Sequence, residues 1–178
     1  DVLTFAVALN TMNSKAMKAF SSKEGETTLQ NREYLAHAYY KLSGDVDLRE
    51  TGFRGIGYYI NSNFYQGFYG SFSGTKVSGQ DRYPVITYGS TFIQGYAGLF
   101  PLLCGVESDS AIKDRLPNQK AAVVENLNFT GDIYGRNSYF GAVAAVIGLS
   151  DGDEQIKTKN CGVTIQNIQS NVNISLQQ

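Results

Sequence analysis

The chain has little of what most catalytic and nucleic-acid-binding proteins rely on. It holds one histidine, His37, two cysteines and three prolines among 178 residues, and its formal charge is −1 with a pI near 5.8. One histidine flanked by apolar and aromatic residues in YLAHAYY builds no metal cluster, and nothing beside it announces a nucleophile–base–orienter arrangement, so it reads as a core or cap residue. No HExxH, GxSxG, P-loop or GxGxxG motif occurs. A near-neutral chain has no basic field for phosphate backbones, and nucleic acid is not an expected partner. No run approaches the roughly 18 consecutive apolar residues of a membrane span. The start, DVLTFAVALN, lacks a signal peptide's charged leader and cleavage site, so the chain is expected to be a piece of a longer protein.

Cys104 and Cys161 have no second Cys or His at ligand spacing, which excludes a zinc site and a disulfide framework. Both read as small buried hydrophobes; a bridge between them requires stacking to bring their Cα atoms within about 7 Å. Apart from the three prolines, 19 glycines and 42% hydrophobic residues describe a chain that turns often, pairs its strands and buries one core. One domain over 1–178 is expected.

Loosely repeated phrases fill the last two thirds: FYGSFSG at 68–74, YAGLFPLL at 96–103, VVENLNFTGDI at 123–133, SYFGAVAAVIG at 138–148 and VTIQNIQSNVNISL at 163–176. The last two read as second copies of the two before them. Leu99 to Val143 spans 44 positions and Leu127 to Ile168 spans 41, and recurrence at such a period marks a solenoid whose units bury their faces by stacking. Val123, Leu127, Phe129 and Ile133 share one parity, as do Ile165 and, after an adjustment, Ile168, Val172 and Ile174; these are the expected inward ladders. Asn126 and Asn167 precede the apolar residue of equivalent strands and are expected to stack, their amides serving turn backbone groups. Gly131, Gly135, Gly141 and Gly148 are placed where the chain must turn.

Organisation changes near residue 40. Val2, Phe5, Leu9 and Met12 recur at helical spacing over 1–20, with Asp1 as a candidate N-cap. This segment is assigned to a helical cap over the open end of the first coil, where unpaired strand edges invite aggregation. Residues 21–30 read as a loop, and 31–39 as either a helical turn or an extended run. Tyr40, Leu42, Val46 and Leu48 then alternate as a half-buried strand, and coils are expected over 40–176.

From this point the phrases resemble a known family. The order of KLSGDVDL at 41–48, RGIG at 54–57, FYGSFSG, AGLF at 97–100 and ENLNFTG at 125–131 is similar to that of bacterial surface proteins carrying the GLUG motif. In them an aromatic-x-Gly-x-Phe-x-Gly turn precedes Gly-Leu-Phe-Gly and Asn-Leu strands. Two departures stand out: Ser73 and Gly74 run into Thr75, Lys76 and Val77 where the family has Asp-Gly-Asn-Gly, and Pro101 replaces a glycine before a long charged insertion at 105–120. The resemblance implies an all-β, right-handed parallel β-helix. It also implies a non-catalytic adhesion, binding or spacer module of a secreted or cell-surface bacterial protein, including the accessory regions of large secreted metallopeptidases such as those that cleave immunoglobulin A. No cofactor or metal is implied; a host protein or glycan, and the remainder of a longer chain, are the implied partners.

A carbohydrate-active β-helix enzyme, a polysaccharide lyase or glycoside hydrolase, is the alternative. Asp45 and Asp47 share a face, and Asp151, Asp153 and Glu154 cluster in SDGDEQ, as paired carboxylates in a groove would. The bland reading makes the first pair strand-to-turn residues, which the resemblance favours, and the second a solvated turn rather than a calcium loop. No catalytic residue is assigned. For binding, Tyr58, Tyr59, Phe64, Tyr65, Phe68, Tyr69 and Phe72 crowd beyond what one inward face holds, so some are expected at the surface. Tyr58, Tyr59, Tyr65 and Tyr69, with the 105–120 insertion, form the candidate surface, since tyrosine offers a rigid apolar face and a hydroxyl. The alternative packs 58–69 over the flank as a decorated loop.

Overall fold

The computed structural model describes residues 2–7, 9–10, 35–61, 64–104, 122–147 and 163–177. They form eight strands: β1 (Tyr39–Leu42), β2 (Val46–Asp47), β3 (Tyr58–Asn61), β4 (Phe64–Gln66), β5 (Ser71–Gly74), β6 (Val85–Leu103), β7 (Val123–Ile147) and β8 (Thr164–Gln177). Six of them make one sheet in the order β1-β5-β7-β6-β2, with β8 added to β7, while β3 and β4 make a separate antiparallel pair. All pairings in the large sheet are parallel. The described residues are mostly β, with parallel pairing in the large sheet and helical residues at 2–7, 9–10 and 35–37, and among them no helix is long and apolar enough to cross a membrane.

The recurrence seen in the sequence is lateral pairing between strands. Phe100 pairs Ala144 and Leu102 pairs Val146 at the 44-residue spacing, and Leu127 pairs Ile168 and Ile133 pairs Ile174 at the 41-residue spacing. Parallel, in-register strands stand about 4.8 Å apart, so residues of one kind stack on their equivalents. Tyr40, Phe72, Val124 and Ile165 form one such row across β1, β5, β7 and β8. Val46, Ile86 and Phe129 form another across β2, β6 and β7.

Burial follows the alternation of Tyr40, Leu42, Val46 and Leu48, whose odd-numbered neighbours Lys41, Asp45 and Asp47 are exposed. In β7 the alternation is interrupted. Val124 is fully buried and Val123 only half-buried, whereas Leu127, Phe129 and Ile133 are buried as expected. The cause is Asn126, whose φ of 59° turns the backbone and shifts the parity by one residue between Val124 and Leu127; Val124, not Val123, is the inward residue. Gly131 and Gly141 lie within β7 rather than in loops. At Gly131, φ is 111° and an added Cβ would sit 2.0 Å from the Tyr88 carbonyl oxygen, so the backbone bends there against its neighbour. Gly148 lies outside the described residues.

The crowded aromatics are accommodated by stacking. Phe68 lies parallel to Phe100 with ring centroids 4.4 Å apart, and Phe72 meets Phe100 edge-on at 5.7 Å; all three are buried. The N-terminal helical residues bury Val2, Ala6 and Leu9 in the same core, and Phe5 stacks on Tyr40 at 4.2 Å. Asn10 ties this segment to RGIG: its Nδ2 donates to the Gly55 carbonyl at 3.2 Å and its Oδ1 accepts from the Gly57 N–H at 3.0 Å. Met12 and Asp1 lie outside the described residues. Cys104 is buried, and its relation to Cys161 also falls outside them.

Candidate binding surface

β3 and β4 pair through Tyr58 with Gln66 and Tyr59 with Tyr65, then shift register before Asn61 and Phe64. The pair packs through β3 against the flank of β6. This places the ring of Tyr59 edge-on to Tyr96, centroids 4.6 Å apart at 87°. Tyr96 and Tyr139 are register partners in β6 and β7, so their rings stack at 4.7 Å and 9°. Three strands thus contribute one continuous column of phenol rings. Tyr59 and Tyr96 are half-buried, and Tyr139 at the end is 61% exposed. An open phenol face backed by a rigid stack suits a planar apolar or sugar face, and its hydroxyl supplies a polar contact at small entropic cost.

Of the four tyrosines singled out in the sequence, Tyr59 is in this column and Tyr65 is its backbone partner across the antiparallel pair. Tyr58 is half-buried on the same strand. Tyr69 has a different neighbour, lying parallel to the imidazole of His37 at 4.6 Å. Burial holds that imidazole well below its ordinary value, at about 4, so it is neutral at physiological pH. Tyr96 and Tyr139 were not picked out by local crowding. Their signal was positional, since they occupy equivalent points in YAGLF and YFGAV. The 105–120 insertion lies outside the described residues.

The acidic candidates are held by arginines. Asp45 receives Arg82 through two parallel bonds, Nη1 to Oδ1 at 2.7 Å and Nη2 to Oδ2 at 2.6 Å, and also accepts the Val85 N–H at 2.9 Å. This clamps the β1–β2 turn to the start of β6. Asp47 accepts Nε of Arg49 at 2.9 Å, its Nη2 at 2.6 Å and its backbone N–H at 3.0 Å. The hydrogen bonds from each arginine, reinforced by backbone N–H groups, lower both carboxyls to about 2. Asp45 and Asp47 are therefore ionised and tied up in turn geometry, the opposite of a general acid's raised value. Asp151, Asp153 and Glu154 lie outside the described residues. Beside Arg49 an open polar pocket of about 410 Å³ is lined by Glu50, Thr87, Thr130, Gly131 and Asp132. Among the described residues no group of three or more His, Cys, Asp or Glu side chains comes together to hold a metal ion.

Compared with family models, curated proteins and solved structures, the chain matches none.

Proposed function

We propose that the chain is a non-catalytic binding or spacer module of a secreted or cell-surface bacterial protein of the GLUG kind. In this reading its successive passes wind as a right-handed parallel β-helix capped by the N-terminal helical segment. The parallel, in-register stacking of β1, β5, β7 and β8 supports the winding. The observation that carries the binding role is the column of Tyr59, Tyr96 and Tyr139 opening at an exposed ring. A host protein or glycan is the partner such a surface suits. The test is binding of the chain to an immobilised panel of host-surface glycans and extracellular proteins, compared with Tyr139→Ala and Tyr59→Ala. Retained thermal stability with at least about tenfold weaker binding is the expected result, aromatic anchors being the usual centres of contact energy. Absence of binding to every probe, or binding indifferent to both substitutions, removes the reading.

A second reading, a carbohydrate-active enzyme, draws on the polar pocket beside Arg49, where Glu50 and Asp132 bring two carboxylates to one cavity. Release of reducing ends or unsaturated sugars from a polysaccharide panel, abolished by Glu50→Gln or Asp132→Asn, is the outcome that favours it. An accessory role beside a secreted metallopeptidase belongs to the first reading, with the tyrosine column positioning the proteolytic substrate.

A further inference from the structure

The polar cavity of about 410 Å³ beside Arg49 opens on the outer side of the large sheet, opposite the buried Ile86 and Phe129. Its size falls within the range of small-molecule sites, roughly 300–1,000 Å³. Three successive strands build it. Asp47, Thr87 and Thr130 are register partners on β2, β6 and β7, so the two threonines stand about 4.8 Å apart. Past them β6 carries one residue more than β7: Tyr88 pairs Gly131 and Thr91 pairs Ile133, which leaves Gly89 and Ser90 opposite Asp132 alone. The turn after β2 is seated on that bulge, since a Cβ at Gly89 would lie 2.7 Å from the Arg49 Cα. Glu50, the next residue, is held at a φ of 59° and lines the cavity together with Asp132.

The lining holds hydrogen-bonding capacity that the fold does not use. Nε and Nη2 of Arg49 are bound to Asp47, which leaves Nη1. Asp132 accepts Asn173 on Oδ1, which leaves Oδ2. Among the described residues no side-chain hydrogen bond engages the Glu50 carboxylate or the Thr87 and Thr130 hydroxyls. Asp47 neutralises Arg49, so the charge left over in the cavity is that of Glu50 and Asp132. We propose that this cavity binds an amino sugar, its ammonium received by Glu50 and Asp132 and its hydroxyls by Thr87, Thr130 and Nη1 of Arg49. An ammonium answers the two carboxylates with charge-assisted bonds. A sugar hydroxyl, donor and acceptor at once, matches a threonine hydroxyl as well as a guanidinium N–H. A neutral sugar leaves the carboxylates' charge unanswered, and a plain alkylammonium leaves the hydroxyls unused. The inference deepens the glycan-binding role proposed above and rests on it for the class of ligand. The cavity shares no residue with the tyrosine column, and binding alone, without the bond cleavage of the enzyme reading, is what it requires.

The experiment is an NMR titration of the backbone amides of the 178-residue chain at neutral pH with glucosamine, glucose and propylamine. Glucosamine is expected to shift the amides of 49–50, 87–89 and 130–132, and to bind at least about tenfold more tightly than either comparison compound. Glu50→Gln and Asp132→Asn are each expected to weaken it at least about tenfold. Both side chains are exposed, so the variants keep the fold, which thermal melts check. Thr130→Val narrows the gap between glucosamine and propylamine. No binding of glucosamine, equal affinity for glucose, shifts confined to other residues, or indifference to both carboxylate substitutions overturns the proposal. Failure of the tyrosine column is a separate result, read with its own substitutions on the glycan panel.

Discussion

Asn167 donates its side-chain amide to the side-chain oxygen of Asn126 at 3.0 Å, and both residues turn their backbones at positive φ, 52° and 59°. The two sit on paired strands at the same bend, so one residue type meets two demands: asparagine tolerates the left-handed region, and its amide bonds to its own kind one strand away. Other side-chain amides of β8 bond to carboxylates of β7 at the same 41-residue spacing. Gln166 donates to Glu125 at 2.5 Å, and Asn173 to Asp132 at 2.9 Å.

Replacing Asn126 separates the two demands. Asn126→Ala loses the bond and places a β-carbon residue in the left-handed region, at a cost of about 1–3 kcal/mol. Asn126→Gly loses the bond alone and is expected to cost less. Urea denaturation of both variants checks the order; equal losses mean that the backbone turn contributes nothing.

The parity shift at that bend predicts unequal neighbours. Val124→Ala removes a fully buried side chain and is expected to cost about 2 kcal/mol, whereas the half-buried Val123→Ala costs under about 1. Leu127→Ala, just past the bend, is expected to cost about 2–5 kcal/mol. Midpoint shifts in chemical denaturation decide whether Val124 is the inward residue.

Two glycines distinguish crowding from backbone strain. Gly131 and Gly79 both have positive φ, but an added Cβ meets the Tyr88 carbonyl oxygen at 2.0 Å in the first and nothing within 4 Å in the second. Gly79→Ala is expected to cost about 1 kcal/mol from strain, and Gly131→Ala more than about 3, since the β7 backbone must move away from β6. Thermal melts of the pair test the close approach of these strands.

Acid acts in two stages. His37 has its folded value lowered from 6.5 to about 4 by burial, so the unfolded chain takes the proton first. Its contribution is complete above pH 6.5 and is lost as pH falls from there towards 4. Asp45, lowered from 3.8 to about 2 by Arg82, contributes fully above 3.8 and loses that contribution as pH falls through 2. Melting temperatures from pH 7.5 to 2 are expected to fall in both windows; His37→Phe flattens the first and Arg82→Met shrinks the second, in which Asp47, held by Arg49, continues to titrate. A first window unchanged in His37→Phe contradicts the buried imidazole.

Much of the strand pattern was legible because it is local. Tyr40, Leu42, Val46 and Leu48 alternate with period 2, and half-burial of one side of a strand imposes that alternation directly. The equivalence of Leu127 with Ile168 was also readable, since in-register strands repeat residue kinds. Val123 misled because parity counting assumes a straight backbone, and Asn126 bends it. The tyrosine column was only half legible. Local crowding pointed to Tyr59 and Tyr65, but Tyr96 and Tyr139 are isolated in sequence and become neighbours only across strands.

The sequence by itself determined that this protein is strand-rich, repeats at spacings of 41 and 44 residues, and carries its asparagines at equivalent points. Each of these follows from periodicity along one chain segment. Tertiary structure decided that Asn126 and Asn167 bond to each other, that Arg82 holds Asp45, that Tyr59, Tyr96 and Tyr139 share one column, and that β8 lies in parallel register on β7. These depend on which strands lie side by side. Backbone pairing and core packing set that adjacency between residues roughly forty positions apart, and no local pattern encodes it.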